Sequence, residues 1–371
     1  MNREQLASAK RIVIKVGSST LTGSAGSALD ETSVNALADV IAHLRSQGKE
    51  VVLVSSGAIA AGLAPLGLTT RPKDLATQQA AASVGQGLLV ARYTESFKRH
   101  NVIASQVLLT IEDVIRRSHY QNAQRTLFRL LQLGVVPIIN ENDSVGTQEI
   151  RMGDNDRLAA LVSHLIGADL LVLVSDIDAL YDAPPSQAGA KRVAEVASVK
   201  SLTDVEVGGV GASGVGSGGM VTKIEAARIA TGAGITMLLT NLAKVADALA
   251  GGDVGTIFQP VHDRKPSRLL WLEHASTPQG RLTLDDGAAT AVLERGVSLL
   301  PAGVTSVTGE FSAGDTVELV TTKGLVIARG LVAFDSDEIP QMLGKSTKDI
   351  AALLGAEYER ELVHRDDLVL L

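Results

Sequence analysis

Short runs of β-branched and aliphatic residues, separated by longer stretches of helical periodicity, constrain this chain more than any other feature. The runs are RIVIKVG (residues 11–17), EVVLVSS (50–56), NVIASQVLL (101–109), VVPIIN (135–140), DLLVLVSD (169–176) and ITMLLT (235–240). Several are almost continuously apolar, as strands covered on both faces of a parallel sheet must be. Between them, residues 33–48 place Val34, Leu37, Val40, Ile41 and Leu44 at helical spacing, and Gly48 ends the pattern. Residues 122–134 and 156–167 behave likewise, each closed by glycine. This rhythm predicts a doubly wound, mainly parallel α/β domain with right-handed crossovers. Ligands bind such sheets at the carboxyl ends of the strands, so the residues just after each strand are the candidates for function.

Beyond about Phe258 the texture changes. VHDRKPS has the character of a linker, and from Arg281 the chain reads as short alternating strands with turn glycines: RLTLDDGA, VTSVTGEF, DTVELV, LVIARGLVAF. The expected organisation is an α/β domain over residues 1–262, a linker over 263–280 and a small β-rich, barrel-like domain over 281–371. A length of 371 residues accommodates two domains. Cysteine is absent, which excludes disulfides, thiolate catalysis and cysteine–zinc sites. The N-terminal segment has only a short apolar run, unlike a signal peptide, and no apolar stretch nears the ~20 residues a bilayer requires. A cytoplasmic protein without membrane contact is expected.

Charge is unevenly placed. Residues 281–371 carry 8 Lys+Arg against 15 Asp+Glu, whereas the first 280 residues hold 26 of each. The seven histidines are scattered without metal-ligand spacing, and no nucleophile-elbow motif accompanies them.

Chemistry-bearing residues gather at the strand ends. The first run ends Lys15-Val16-Gly17-Ser18-Ser19-Thr20, where an ammonium and several backbone N–H groups can converge on one anion. Alone, this reads equally well as a strand-end lysine snorkelling to solvent. The second ends Ser55-Ser56-Gly57-Ala58, small residues that leave room for an anion at a helix N-terminus, or simply let helix and sheet pack closely. The fourth runs into Asn140-Glu141-Asn142-Asp143, followed by Asp154-Asn155-Asp156. Four acids and three amides exceed what a turn and a helix cap require. They suit a cation, an ammonium group or a magnesium nucleotide. The fifth ends Ser175-Asp176, with Asp178 close behind. Finally, residues 207–220 (VGGVGASGVGSGGM) hold seven glycines and lead into Val221-Thr222-Lys223 at the start of a helix. No strand immediately precedes this stretch and no G-K-[ST] occurs in it, so neither a dinucleotide fingerprint nor a P-loop fits. It reads as a phosphate-covering segment whose helix presents Lys223.

Taken in order, KVGSSTLTG, VSSGAIAAG, INENDSV, GDNDRLAAL, SDIDALY and SGGMVTKIEAA closely resemble the amino acid kinase family, in particular the members that act on free glutamate. The stretch TLDDGAATAVLERGVSLLPAGVTSVTGEFSAGD and the terminal VHRDD resemble the PUA domain those members carry, an appendage that relatives acting on N-acetylglutamate, aspartate, carbamate or UMP generally lack. The resemblance implies ATP-dependent phosphorylation of the γ-carboxylate of L-glutamate to L-glutamyl 5-phosphate, the first step of proline biosynthesis. It implies that Lys15 and Lys223 flank the phosphoryl group, that Asp156 orients both, and that Ser56, Gly57, Asp143 and Asn155 hold glutamate. Lys15, Gly17, Ser175, Asp176 and the segment Ser217, Gly218, Gly219, Met220, Val221, Thr222 and Lys223 would hold ATP. Backbone N–H groups of Gly17 and Gly57 are candidate additional donors. Mg²⁺ would arrive bound mainly through ATP's phosphates, with no direct protein ligand. Proline as feedback inhibitor and a homo-oligomer, dimer or tetramer, are implied too. Residues 24–29 have no assigned role.

Two alternatives remain at this point. One is a kinase of a related carboxylate such as N-acetylglutamate. The other is RNA binding through the PUA-like domain, against which its acidic balance and a 3% aromatic content both argue.

Overall fold

The apolar run RIVIKV becomes the central strand of the larger sheet, with five of its six residues buried. The structure is a computed structural model that describes residues 1–22, 28–115, 117–145, 154–183, 187, 189–199, 202, 219–260 and 278–371. The chain divides into two units, Met1–Arg264 and Lys265–Leu371.

The first unit opens with α1 (Arg3–Leu6), β1 (Arg11–Val16), α2 (Ser18–Leu21), α3 (Glu31–Ser46) and β2 (Glu50–Ser55). It continues through α4 (Ala58–Leu63), α5 (Leu75–Lys98), β3 (Ala104–Leu109), α6 (Ile111–Ile115), α7 (Arg117–Gln132) and β4 (Val136–Glu141). Then follow α8 (Asp154–Ile166), β5 (Leu170–Ser175) and the short strands β6 (Leu180–Tyr181), β7 (Arg192–Val193) and β8 (Glu195–Val196). The unit finishes with α9 (Met220–Gly232), β9 (Thr236–Asn241), α10 (Val245–Leu249) and β10 (Thr256–Phe258). Eight strands form one sheet in the order β3-β4-β2-β1-β5-β9-β10-β8, parallel throughout except for the β9–β10 pair. All six expected strands are present. β8 and β10, two and three residues long, are too short to leave a periodic signal.

Register places the first candidate. β1 lies between β2 and β5, with Lys15 opposite Val54 on one side and Leu173 on the other. Alternation sends Ile12, Ile14 and Val16 to the core shared with Val34, Leu37 and Ile41 of α3 and Leu89, Tyr93 and Phe97 of α5. Lys15 therefore faces the opposite side of the sheet.

Helix α5 was not legible in the sequence. Its residues, LATQQAAASVGQGLLVARYTESFK, are diluted with Ala, Gly and Gln, and the apolar stripe is weak. Small residues serve a different purpose here. A Cβ placed on Gly62 would collide with the Ala81 carbonyl, and one on Gly85 with the Ala58 carbonyl, so α4 and α5 pack backbone against backbone. Helix starts also move: α3 begins at Glu31, because the Asp30 carboxylate accepts the N–H groups of Thr32 and Ser33. α8 begins at Asp154, so neither Asn155 nor Asp156 is spent as a cap.

The second unit comprises β11 (Gly280–Leu284), α11 (Asp286–Arg295), β12 (Val304–Gly309), β13 (Thr316–Thr321), β14 (Val326–Val332), α12 (Thr347–Leu354) and β15 (Val363–Leu370). Its five strands form a sheet in the order β12-β11-β13-β14-β15, over a core that includes Leu282, Leu319, Phe334 and Val363.

Candidate active site

Two lysines and one carboxylate meet beside the carboxyl end of β1. Nζ of Lys15 lies 2.6 Å from Oδ1 of Asp156, and Nζ of Lys223 lies 3.2 Å from Oδ2. The three side chains come from β1, α8 and α9, and each is almost wholly excluded from solvent. The Thr222 hydroxyl sits 3.0 Å from the same Oδ2 and 2.9 Å from the Gly219 carbonyl, bracing the start of α9. Burial opposes ionisation of Asp156, but the adjoining Lys15 and Lys223 ammonium groups outweigh it and hold the carboxyl below its ordinary value. Among the described residues one carboxylate faces two ammonium groups, an arrangement suited to an anion.

A chain of amides runs alongside. Asn155 Nδ2 donates to Ser56 Oγ at 2.9 Å and to Asn140 Oδ1 at 3.1 Å, and Asn140 Nδ2 donates to Gln86 Oε1 at 2.7 Å. Gln86 comes from α5 and carried no signal in the sequence; only its position on the missed helix reveals it. It lines a pocket of about 190 Å³ that also includes Gln106, Asn142 and Asp143. Burial pushes the Asp143 carboxyl above its usual range, the Arg71 guanidinium offsetting part of the effect. The acid-and-amide cluster thus divides its tasks: Asp156 serves the lysines, Asn140 and Asn155 form the relay, and Asp143 enters the pocket wall.

Gly57 sits before α4 with φ of +105°, a left-handed conformation that glycine adopts freely. The Gly17 N–H donates to the Val174 carbonyl at 3.2 Å, so the extra donor expected there is already engaged by the sheet. Ser175 is buried and its hydroxyl donates to Asp176 Oδ1 at 2.9 Å, while Asp176 itself is exposed at the end of β5. Farther along that loop, Asp178 pairs with Lys244 at 2.6 Å. Gly219 precedes α9, with Met220 half-buried and Val221 exposed. Ser217 and Gly218, like the rest of the glycine-rich stretch from 207, lie outside the described residues, as do residues 24–27. Among the described residues no group of three or more His, Asp or Glu is placed to hold a metal ion, and no helix is long and apolar enough to cross a membrane.

Comparison with known proteins gives the family. The amino acid kinase family model matches residues 10–241 and the PUA domain model matches residues 280–354. A glutamate 5-kinase from Streptomyces avermitilis is 64% identical over 370 residues, covering 100% of this chain and 98% of that protein. Glutamate 5-kinases from Streptomyces coelicolor and Salinispora arenicola are 61% and 58% identical, each over 369 residues and 100% of this chain, with 98% and 100% of their own lengths covered. With the matched region spanning Lys15, Asp156 and Lys223, the chain belongs to the amino acid kinase family and carries a PUA domain after the kinase fold.

Proposed function

We propose that this protein transfers the γ-phosphoryl group of ATP to the γ-carboxylate of L-glutamate, giving L-glutamyl 5-phosphate and ADP as the first step of proline biosynthesis. The observation that carries the reading is the buried Lys15–Asp156–Lys223 centre, in a chain that its named relatives match end to end.

The acceptor carboxylate, with an ordinary pKa near ~4.3, is already ionised at neutral pH and needs no general base. Its oxygen forms the new bond to phosphorus as the bond to the β-phosphate oxygen breaks and ADP departs. The barrier lies in bringing two anions together and in stabilising the charge spread over the group in transit, so catalysis is positioning and electrostatics. Lys15 and Lys223 flank that group, and Asp156 fixes both ammonium positions from behind. Asp143 takes the α-ammonium of glutamate, with Ser56, Gly57 and Asn155 completing the amino-acid site. Ser175, Asp176 and residues 217–223 take the nucleotide, with Lys15 and Gly17 at its phosphate end.

The exposed Asp176 carboxylate and the neighbouring Ser175 hydroxyl are hard oxygen donors of the kind Mg²⁺ accepts. The ion would be held mainly by ATP's phosphates and would neutralise their charge. The reading also includes a cytoplasmic homo-oligomer with proline as feedback ligand, and assigns the kinase activity to residues 1–262 and the PUA role to 281–371. The test is ATP turnover with glutamate, N-acetylglutamate and aspartate, trapping the acyl phosphate as a hydroxamate. Hydroxamate formed with glutamate alone supports the reading. A preference for N-acetylglutamate overturns it.

A further inference from the structure

The amides at the end of β4 admit one arrangement, and a backbone group dictates it. The Glu141 N–H donates to the Asn140 side chain at 2.9 Å. A backbone N–H can only donate, so the atom it meets is Oδ1 and the other terminal atom of Asn140 is the donor Nδ2. Nδ2 faces Gln86 at 2.7 Å, which requires Gln86 to present Oε1. Nε2 of Gln86 is then left buried and without a partner among the described residues. The same logic runs the other way. Asn155 meets Asn140 Oδ1 with its Nδ2, leaving its own Oδ1 buried and unpartnered. Among the described residues one relay therefore leaves two buried, unmet groups of opposite polarity, a donor on Gln86 and an acceptor on Asn155.

Gln86 is held firmly. It is 9% exposed, and it follows Gly85, whose missing Cβ lets α5 touch the backbone at Ala58. Two turns farther along α5, Tyr93 shares a 2.9 Å hydrogen bond with Ser55 at the end of β2. One helix thus braces both strand ends that border the amino-acid site. A buried amide donor in a pocket wall that also contains Asp143 destabilises the empty protein unless a ligand accepts from it.

Resting on the glutamate reading above, we propose that Gln86 is a substrate-reading residue whose Nε2 donates to the α-carboxylate of the amino acid, while Asn155 Oδ1 and Asp143 accept from its α-ammonium. An uncharged donor suits this task. It recognises the carboxylate without adding a second cation to compete with Asp143 for the ammonium's place. The relay gives the site its polarity: reversing the Gln86 amide would set Nε2 against Asn140 Nδ2.

Two variants separate this role from structural support. Gln86→Glu keeps an acceptor toward Asn140 and replaces the donor with an anionic oxygen. Gln86→Met removes both. Each is compared with wild type for the KM of glutamate and of ATP, and by calorimetry for the Kd of glutarate, which lacks the ammonium, and of 4-aminobutyrate, which lacks the α-carboxylate. Gln86→Glu is expected to raise the glutamate KM and the glutarate Kd by about tenfold or more, the worth of a charge-assisted hydrogen bond. It should leave the 4-aminobutyrate Kd unchanged or lower, and the ATP KM within twofold. Gln86→Met should shift glutamate and glutarate in the same direction. An equal loss for all three ligands, or no loss for glutarate, overturns the inference, as would a wild-type protein that binds neither analogue. Wild type that fails to phosphorylate glutamate would sink the broader reading instead, and the glutarate comparison would still judge Gln86.

Discussion

Lys15 on β1 and Asp156 on α8 are 2.6 Å apart and nearly sealed from water, although they stand far apart in sequence. Lys223 completes the group from a third element. Because the phosphoryl group in transit is read by preset charge, replacing either lysine by alanine should lower kcat by on the order of 10²–10³. Circular dichroism should show the fold retained. A folded variant within a few-fold of wild-type kcat would remove that lysine from the mechanism.

Asp156 links this chemistry to stability. Its folded pKa lies below the unfolded one, so the unfolded chain binds its proton first as pH falls. The stabilisation it contributes is fully present above about pH 4 and is lost as pH drops below that toward the folded value. Asp156→Asn should therefore flatten this part of the acid limb in a pH series of urea melts. It should also destabilise the protein at neutral pH by roughly 3–5 kcal/mol, because two buried ammonium groups lose their counter-charge. An unchanged acid limb would show that the carboxylate does not hold the lysines.

Asp143→Asn should raise the KM for glutamate and leave that for ATP nearly unchanged, since a carboxylate paired with the substrate ammonium acts on ground-state binding. Burial raises the Asp143 pKa, so protonation begins at a higher pH than for an exposed carboxylate. In wild type, kcat/KM for glutamate should fall as pH drops through that value, and the fall should vanish in Asp143→Asn. A change confined to the ATP KM would move Asp143 to the nucleotide site.

Gly85→Val should cost both stability and substrate affinity. The new side chain must force α5 away from the Ala58 carbonyl, and overpacking of this kind costs typically about 1–3 kcal/mol. The displaced helix carries Gln86 with it, so the glutamate KM should rise more than the ATP KM. Thermal melts and steady-state kinetics on the same preparation check both halves.

A chain ending at residue 264 should keep glutamate kinase activity, because every assigned site residue lies in the first unit, Met1–Arg264. The 281–371 fragment, with 15 acids to 8 bases, should show no salt-sensitive RNA binding near physiological ionic strength. A soluble, folded but inactive truncation would tie the activity to the second unit.

The strands were legible because burial on both faces leaves an apolar run with few interruptions, as in β1, β2 and β5. Lys15 and Asp156 stood out as charges at such strand ends or near them. Their pairing came from the family resemblance and not from the residues themselves, since it depends on α8 and α9 crossing the sheet at the right height. Gln86 was invisible for a related reason. The glycines and alanines that bring α5 against α4 are the same residues that erase its amphipathic pattern. The acid-and-amide cluster announced itself by composition, yet its division into lysine anchor, relay and pocket wall is set by three-dimensional direction alone.

The lysine centre has a consequence for the idle enzyme. Among the described residues two buried ammonium groups share one carboxylate there, so on the proposed reading small anions of the surrounding solution are rivals for the place of the phosphoryl group. The salt in which the protein is kept then becomes a competitor for its own reaction.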